Sequence, residues 1–502
     1  MPTLLPLAFA LMTWADPPAP SPLAPADVVA ALETALEDAI ALAEPSIVAI
    51  AREKSERDET TAVRGLGPPP PDPNLFPRGF DRRMGGLTLD PGNADMLTFD
   101  FGSGVVVGDE GEILTAFHVV KGAARLIVRA ADRQGFDAEI IAADPRSDLA
   151  VIAPRLRPEL GRKPRLTPIK LGRAESLRKG AFLVALGNPF NAARDGKPSA
   201  SWGILSNLAR RIEPAMDDPS RQDFSLRNYP TLLQLDSKLN LGMSGGAVIN
   251  FKGELVGLTT AAANAGGFDA QAGYAIPMDA LGRNVVEALR QGKEYEHGFL
   301  GISLDTVSGT NRVVAASAGS PAAEGGVQVN DLIVGVGEHV VTDADSLVVA
   351  INSVPAGQSV TLKLLRGGTP LERTVELAKR KVPGVIATNL PAPWRGLRVD
   401  FTSTLSHTTF PPELFDAMAK RGVVVTEVEP HSPAEAAGLR PGRIITRVEG
   451  QPVPTPRDFA RAVEGLTGPA TLETDGGTVT LKPPTRSPAR GPVPVPGPAP
   501  QP

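Results

Sequence analysis

Ser244 is the residue in this chain best placed to do chemistry, because of what flanks it. The run Gly242-Met243-Ser244-Gly245-Gly246 sets a hydroxyl among glycines. A serine hydroxyl is a weak nucleophile until a neighbouring base takes its proton and nearby donors hold the oxyanion that forms. Glycines on both sides let the backbone bend so that amides point into one small space. Gly242, Met243 and Ser244 are therefore the candidate oxyanion-hole residues. Downstream, Ala247 to Asn250, Phe251 to Glu254 and Leu255 to Leu258 read as strand, turn, strand. The serine thus belongs at the mouth of a β-structure.

The same five residues also fit Gly-x-Ser-x-Gly, the nucleophile elbow of α/β-hydrolases. That motif needs a helix directly after the serine and the chain order serine, acid, histidine. Here a hairpin follows, and the next histidine is His297, beyond the apparent end of the domain. The elbow reading fails on both counts.

Elimination points to the base. The chain has five histidines in 502 residues, and His118 is the only one before His297. It follows the strand-like Ile113 to Ala116 in a short apolar turn. Histidine is the commonest general base, although a lone histidine in an apolar run is more often a packed core residue. An acid to orient it is offered by Asp148, which opens the apolar run Leu149 to Ile152, where a carboxylate is costly to bury unpaired. Asp144 is the rival; standing before Pro145, it is better explained as a turn residue. The order His118, Asp148, Ser244 is that of the chymotrypsin-type triad.

At these residues the chain resembles the HtrA (Deg) serine proteases. Gly102 to Val107, Leu114 to Val120, Asp144 to Ala150, Leu186 to Phe190 and Gly242 to Gly246 are similar to that family's signature blocks, in order and in spacing. The resemblance spans roughly residues 45–480. It implies a mainly β fold: a chymotrypsin-like double β-barrel protease domain, then two PDZ-like α+β domains. It also implies a His118, Asp148, Ser244 triad. Two departures stand out. Leu241 and Met243 replace a proline and an asparagine in the usual Asn-Pro-Gly-Asn-Ser-Gly-Gly, and Ala116-Phe117 replaces the residues usual before the histidine. Losing a proline and a polar side chain should loosen the loop, and one misplaced oxyanion donor costs about 10²–10³ in rate.

The elements that must position these residues follow. Asp27 is the expected cap of a helix with Val29, Leu32, Leu36 and Ile40 on one face, ended by Pro45. Residues 45–290 form the expected protease domain, its strands separated by glycine and polar turns as packed barrels require. Inside it, 53–97 reads as a long polar loop; the resemblance to HtrA proteases implies that Phe76 and Phe80 are candidate contacts to a neighbouring subunit or the active site. Gly102-Ser103-Gly104 is no phosphate loop, since no Gly-Lys-Ser/Thr element follows.

An internal repeat fills the C-terminal part. Ser320-Pro321-Ala322-Ala323 to Val334 returns as Ser432-Pro433-Ala434-Glu435 to Thr446, and each copy precedes a helical stretch, about 345–351 and 457–463. The expected domains are 295–381 and 390–482. By resemblance to PDZ domains, which capture a peptide's terminal carboxylate in a backbone nest, Gly298, Phe299, Leu300 and Gly301 are the peptide-binding loop of the first. In the second, Trp394-Arg395-Gly396-Leu397 fits less well, because Arg395 sits where an apolar residue is usual. Assembly contacts are the expected role there. Residues 483–502 are Pro-rich and expected to stay extended.

Composition sets outer bounds. A net charge of −5 and the lack of any basic run argue against nucleic acid as a partner. There is no cysteine, which excludes disulfides and thiolate metal sites. No zinc-type histidine and glutamate cluster occurs, so no metal or cofactor is implied. Leu4 to Trp14 is too short to span a bilayer but suits a secretory h-region, so 1–15 is expected to be a signal peptide, ahead of a proline-rich spacer and helix over 16–44. With no later transmembrane segment, export to the periplasm or cell envelope is expected.

The resemblance implies an ATP-independent endopeptidase for unfolded or damaged proteins, regulated by peptide C-termini and assembled as a homo-trimer or a multiple of trimers. The alternative is a catalytically weak, protease-like chaperone or peptide-binding scaffold, suggested by Leu241 and Met243.

Overall fold

The computed structural model describes residues 24–54, 101–155, 164–189, 196–210, 232–260, 272–305, 309–405 and 421–483. The expected signal segment 1–15 lies outside them, as do Phe76, Phe80 and all of the expected loop except Glu53 and Lys54, which continue a strand.

Six strands close the first barrel: β1 (Ile47–Lys54), β2 (Phe101–Val106), β3 (Ile113–Ala116), β4 (Ala123–Ala130), β5 (Gly135–Asp144) and β6 (Leu149–Pro154). Their order is β5-β4-β1-β2-β3-β6, and pairing of β5 with β6 shuts the ring. Period-two patterning fixes the register. In β4, for example, Leu126, Val128 and Ala130 are buried while the residues between them are partly exposed. The second barrel holds β7 (Phe182–Gly187), β8 (Ser199–Arg210), β9 (Leu232–Leu235), β10 (Ala247–Ile249), β11 (Leu255–Thr260) and β12 (Gly273–Pro277), closed by pairing of β10 with β7.

One apolar cluster joins the barrels: Val105, Leu114 and Leu149 of the first meet Leu186, Leu258 and Ile276 of the second. Two helices cover it. Helix α1 (Pro25–Ala43) starts earlier than expected, with Ala24 at the cap position and Pro25 in the first turn. The fixed φ of proline suits that position, and Asp27, also in the first turn, complements the helix dipole instead of capping it. Leu36 and Ile40 pack inward, but Val29 is 56% exposed. Helix α3 (Ala280–Arg290) is capped by Asp279, which accepts from Gly282 N–H at 2.8 Å. It buries Leu281, Val285, Val286 and Leu289, each worth about 1.5–3 kcal/mol.

Two smaller α+β units follow. The repeated Ser-Pro-Ala is a helix start: Ser320 and Ser432 cap the short helices Pro321–Glu324 and Pro433–Ala436, each with proline in the first turn. The expected longer helices are Ala344–Asn352 and Pro456–Val463, each packed on a sheet. Between the units the chain returns to the first barrel. Ile386–Ala387 pairs antiparallel with Ala143 and Ala142 of β5 as a seventh strand, and Thr388 Oγ1 donates to Ile141 O at 2.8 Å.

Candidate active site

His118 sits in helix α2 (Phe117–Val120), one turn that follows β3 directly. Its side chain is 38% exposed, and its Nδ1 lies 2.8 Å from Oδ2 of the fully buried Asp148. Asp148 also accepts twice from the start of α2: Oδ1 from His118 N–H at 3.0 Å, and its backbone carbonyl from Phe117 N–H at 2.9 Å. A carboxylate only accepts, so Nδ1 carries the proton and Nε2 is left as the ring's basic nitrogen. The backbone of Asp148 is left-handed, φ +55°. A non-glycine residue there is uncommon and persists only where its surroundings over-determine it.

Ser244 is buried, 5% exposed, in the turn before β10. Its carbonyl accepts from Ser103 N–H at 2.8 Å, which seats the serine loop on β2. A Cβ on Gly102 would lie 2.6 Å from Val119 and 3.2 Å from Ser244 O, so only glycine lets the α2 turn and the serine loop approach so closely. Gly245 packs against Ala116 N. The serine loop thus abuts the chain on both sides of His118.

The oxyanion candidates are more firmly held than Leu241 and Met243 suggest. Ser103 Oγ donates to Gly242 O at 2.7 Å and accepts from Asn188 N–H at 2.8 Å. Thr259 Oγ1 donates to Met243 O, and Thr115 Oγ1 donates to Ser103 O at 2.7 Å. Met243 N–H, one of the three candidate donors, is engaged with Asn240 O at 3.1 Å, closing a tight turn. The peptide plane between Gly242 and Met243 is therefore pinned on both edges. The Met243 side chain is buried, 2% exposed, against Gly187, whereas Leu241 is exposed. Ser103 and Thr259 supply the bracing that a polar side chain at 243 would have given. Sequence reasoning missed both, because nothing local marks a strand serine as a partner for a loop 139 residues away.

Asp144, the rival acid, does not approach His118. Its Oδ1 accepts from Arg146 N–H at 3.0 Å, a turn bond, and its Oδ2 accepts from Ser147 Oγ at 2.8 Å and His297 Nε2 at 2.7 Å. Burial would push the Asp144 carboxyl up, but the charge and hydrogen bond of His297, with Ser147 and Arg146, outweigh it and hold the pKa below 3.8.

In the first smaller domain Gly298–Phe299 is a strand on Ala378–Lys379, and the loop is fixed by Ala322 N–H to Leu300 O (3.0 Å) and Ser317 N–H to Gly301 O (2.9 Å). Phe299 and Leu300 are buried. The second domain repeats this pattern with Ala434 N–H to Arg395 O and Glu429 N–H to Gly396 O. Arg395 is tolerated at an apolar position because its guanidinium donates to the carbonyls of Leu481 (2.8 Å), Leu466 (2.9 Å) and Gly468 (2.5 Å). It also lies 4.6 Å from the Trp394 ring. Where the domains meet, Lys379 joins Glu294 at 2.8 Å, Glu296 at 3.2 Å and Asp400 at 2.9 Å. Burial opposes the ammonium charge, but the three carboxylates outweigh it and hold its pKa above the ordinary lysine range. Among the described residues there is no cluster of three or more metal-ligating side chains, and no helix is long and apolar enough to cross a membrane.

Known proteins resemble this chain over most of its length. Residues 102–258 match the trypsin-like peptidase domain, and 298–377 and 424–473 each match a PDZ domain. Periplasmic serine endoprotease DegP of Salmonella typhimurium is 29% identical over 364 residues, covering 70% of this chain and 69% of the relative. A probable periplasmic serine endoprotease DegP-like of Ectopseudomonas mendocina is 28% identical over 451 residues, 86% of this chain and 90% of the relative. The chain combines a trypsin-like peptidase domain with two PDZ domains and is similar to the DegP and DegP-like serine endoproteases. It is a serine-type endopeptidase with two PDZ domains. The solved HtrA-type protease AlgW with decapeptide, at 25% identity, overlays with a TM-score of 0.46 across 69% of this chain and 99% of its own.

Proposed function

We propose that His118, Asp148 and Ser244 are the catalytic triad of this HtrA-like endopeptidase. The observation that carries this reading is the His118 Nδ1 to Asp148 Oδ2 bond of 2.8 Å beside a serine loop seated on β2. Nε2 of His118 takes the Ser244 proton as Oγ attacks the scissile carbonyl, then returns it to the leaving amine. Asp148 holds the ring's tautomer and offsets the charge of the imidazolium. The amides of Gly242 and Ser244 hold the oxyanion; that of Met243, bonded to Asn240 O, keeps the turn closed.

The substrates are unfolded or damaged polypeptides in the periplasm or cell envelope, the compartment named for the relatives. The loop Gly298, Phe299, Leu300 and Gly301 receives a peptide C-terminus, and the working form is a homo-trimer or a multiple of trimers. The scaffold alternative drew on Leu241 and Met243, and the hydroxyl braces of Ser103 and Thr259 weigh against it.

The test is digestion of unfolded β-casein by the wild type and by Ser244→Ala, without ATP or added metal. Cleavage by the wild type alone is expected. Equal cleavage by both, or by neither even with apolar C-terminal peptides added, overturns the reading.

A further inference from the structure

Four residues, Pro145 to Asp148, connect β5, which ends at Asp144, to β6 and deliver the acid to His118. The loop has to hold Asp148 at φ +55° with its side chain fully buried. Such a backbone costs of order 1–3 kcal/mol and survives only where neighbours impose it. Part of the restraint comes from the amides at the start of α2. More of it converges on the Asp144 carboxylate, 2% exposed, which accepts three hydrogen bonds. Two of the donors, Arg146 N–H and Ser147 Oγ, lie in the loop itself. The third, Nε2 of His297, comes from 153 residues further along the chain.

His297 is placed for this bond and for little else. Its side chain is fully buried, with the Tyr295 ring edge-on at 4.8 Å. Among the described residues its Nδ1 has no partner. Its main chain is fixed: the carbonyl accepts from Arg380 N–H at 2.8 Å, and the returning strand Ile386–Ala387 lies on β5 just before Asp144. A leucine would fill such a buried space without leaving a polar nitrogen unpaired, so the imidazole is explained by its one donor. Without that donor, Asp144 is a buried carboxylate with one partner fewer, next to a strained loop.

We propose that Asp144 and His297 form a second His–Asp pair, a positioning pair that sets the loop presenting Asp148 to His118. Neither residue touches substrate. The pair acts through Asp148, and so the inference rests on the triad assigned above. The segment leading into the first PDZ domain thereby contributes a side chain to the geometry of the protease acid.

The experiment uses the full-length chain and two readouts. The first is the rate at which a fluorophosphonate probe labels Ser244, with the site located by mass spectrometry. The second is kcat and KM against pH on a quenched peptide taken from a casein cleavage site. His297→Leu removes the donor. His297→Gln places an amide N–H near the Nε2 position. Displacing a catalytic group by about 1 Å costs up to ~10²-fold, so His297→Leu should lower kcat and labelling about 10- to 100-fold, with KM within about twofold of wild type.

The acid limb of kcat should move to lower pH in His297→Leu, because a displaced Asp148 supports the His118 imidazolium less well. Asp148 is the carboxylate bonded to that ring, and the Arg52 guanidinium lies on its backbone, Nη1 donating to His118 O at 3.1 Å. His297→Gln should recover most of the rate and the wild-type limb. Equal losses in both variants would give His297 a packing role and overturn the proposal, as would wild-type kinetics in His297→Leu.

If His297→Leu does not fold, Asp144→Asn decides the matter. That variant keeps an acceptor for Arg146 N–H, and slower labelling with a displaced limb supports the pair, whereas wild-type values overturn it. Failure of the wild type itself to label at Ser244 would sink the triad instead, so the two failures are separable.

Discussion

Removing the Ser103 hydroxyl should slow this enzyme by loosening the oxyanion loop while leaving the triad in place. Ser103 is fully buried, and its Oγ bridges Gly242 O at 2.7 Å and Asn188 N–H at 2.8 Å. Ser103→Ala deletes both bonds and leaves a buried carbonyl and a buried N–H without these partners. Each unsatisfied group costs about 1–3 kcal/mol, or about 2–6 kcal/mol together if no water enters. The main-chain bond from Ser103 N–H to Ser244 O remains, so the loop stays seated and only the Gly242–Met243 peptide plane loses one of its two pins. The lower end of the range, about 2 kcal/mol, is then the expected loss in the transition state, a factor of about 30 in kcat. Steady-state kinetics on a quenched peptide, with a thermal melt in parallel, measure it. A kcat within about twofold of wild type together with an unchanged Tm would refute the bracing role, since a cost of about 2 kcal/mol must appear in one or the other.

Three further outcomes follow from the geometry. Arg395→Leu restores the apolar residue expected at that position, yet it should destabilise the second PDZ domain by about 2–4 kcal/mol, because the carbonyls of Leu466, Gly468 and Leu481 lose their donor. Hydrogen exchange should show faster opening confined to that domain, and uniform protection would contradict it. Lys379→Met leaves the partly buried Glu294 and Asp400 and the half-exposed Glu296 around a missing cation, a loss below the ~3–5 kcal/mol of a fully buried pair; limited trypsin digestion should cut near the domain junction sooner than in wild type. The depressed Asp144 pKa contributes stability that is complete above its unfolded value of 3.8 and is lost as pH falls through the lower folded value. The Tm advantage of wild type over Asp144→Asn should therefore hold at neutral pH and shrink below pH 3.8, and a constant advantage down to the most acid pH would contradict the linkage.

The parts of this molecule readable from sequence are those whose physics is local. A serine among glycines before a hairpin, a histidine after a strand and an aspartate opening one are each marked by their neighbours. So are the helices near 345–351 and 457–463, whose spacing and caps lie within one turn. The start of α1 was misplaced because Asp27 is a good cap by type, whereas Pro25 begins the helix earlier by fixing φ. What stayed hidden depends on partners far along the chain. Asp144 read as a turn residue and does bond Arg146 and Ser147 within its turn, but its third partner is 153 positions away. Arg395 looked like a defect in a peptide-binding loop because its carbonyl partners lie 71 to 86 residues on. Ser103 carried no signal at all, since a buried strand serine looks the same whether or not a distant loop leans on it.

The triad can be read from one mass spectrum. Treating the full-length protein with a fluorophosphonate at neutral pH should give a single adduct on the peptide containing Ser244. The same treatment of His118→Ala, folded by its thermal melt, should give none on that timescale, because the hydroxyl then has no base. An adduct on a different serine, or equal labelling of Ser244 with and without His118, would contradict the assignment of His118, Asp148 and Ser244.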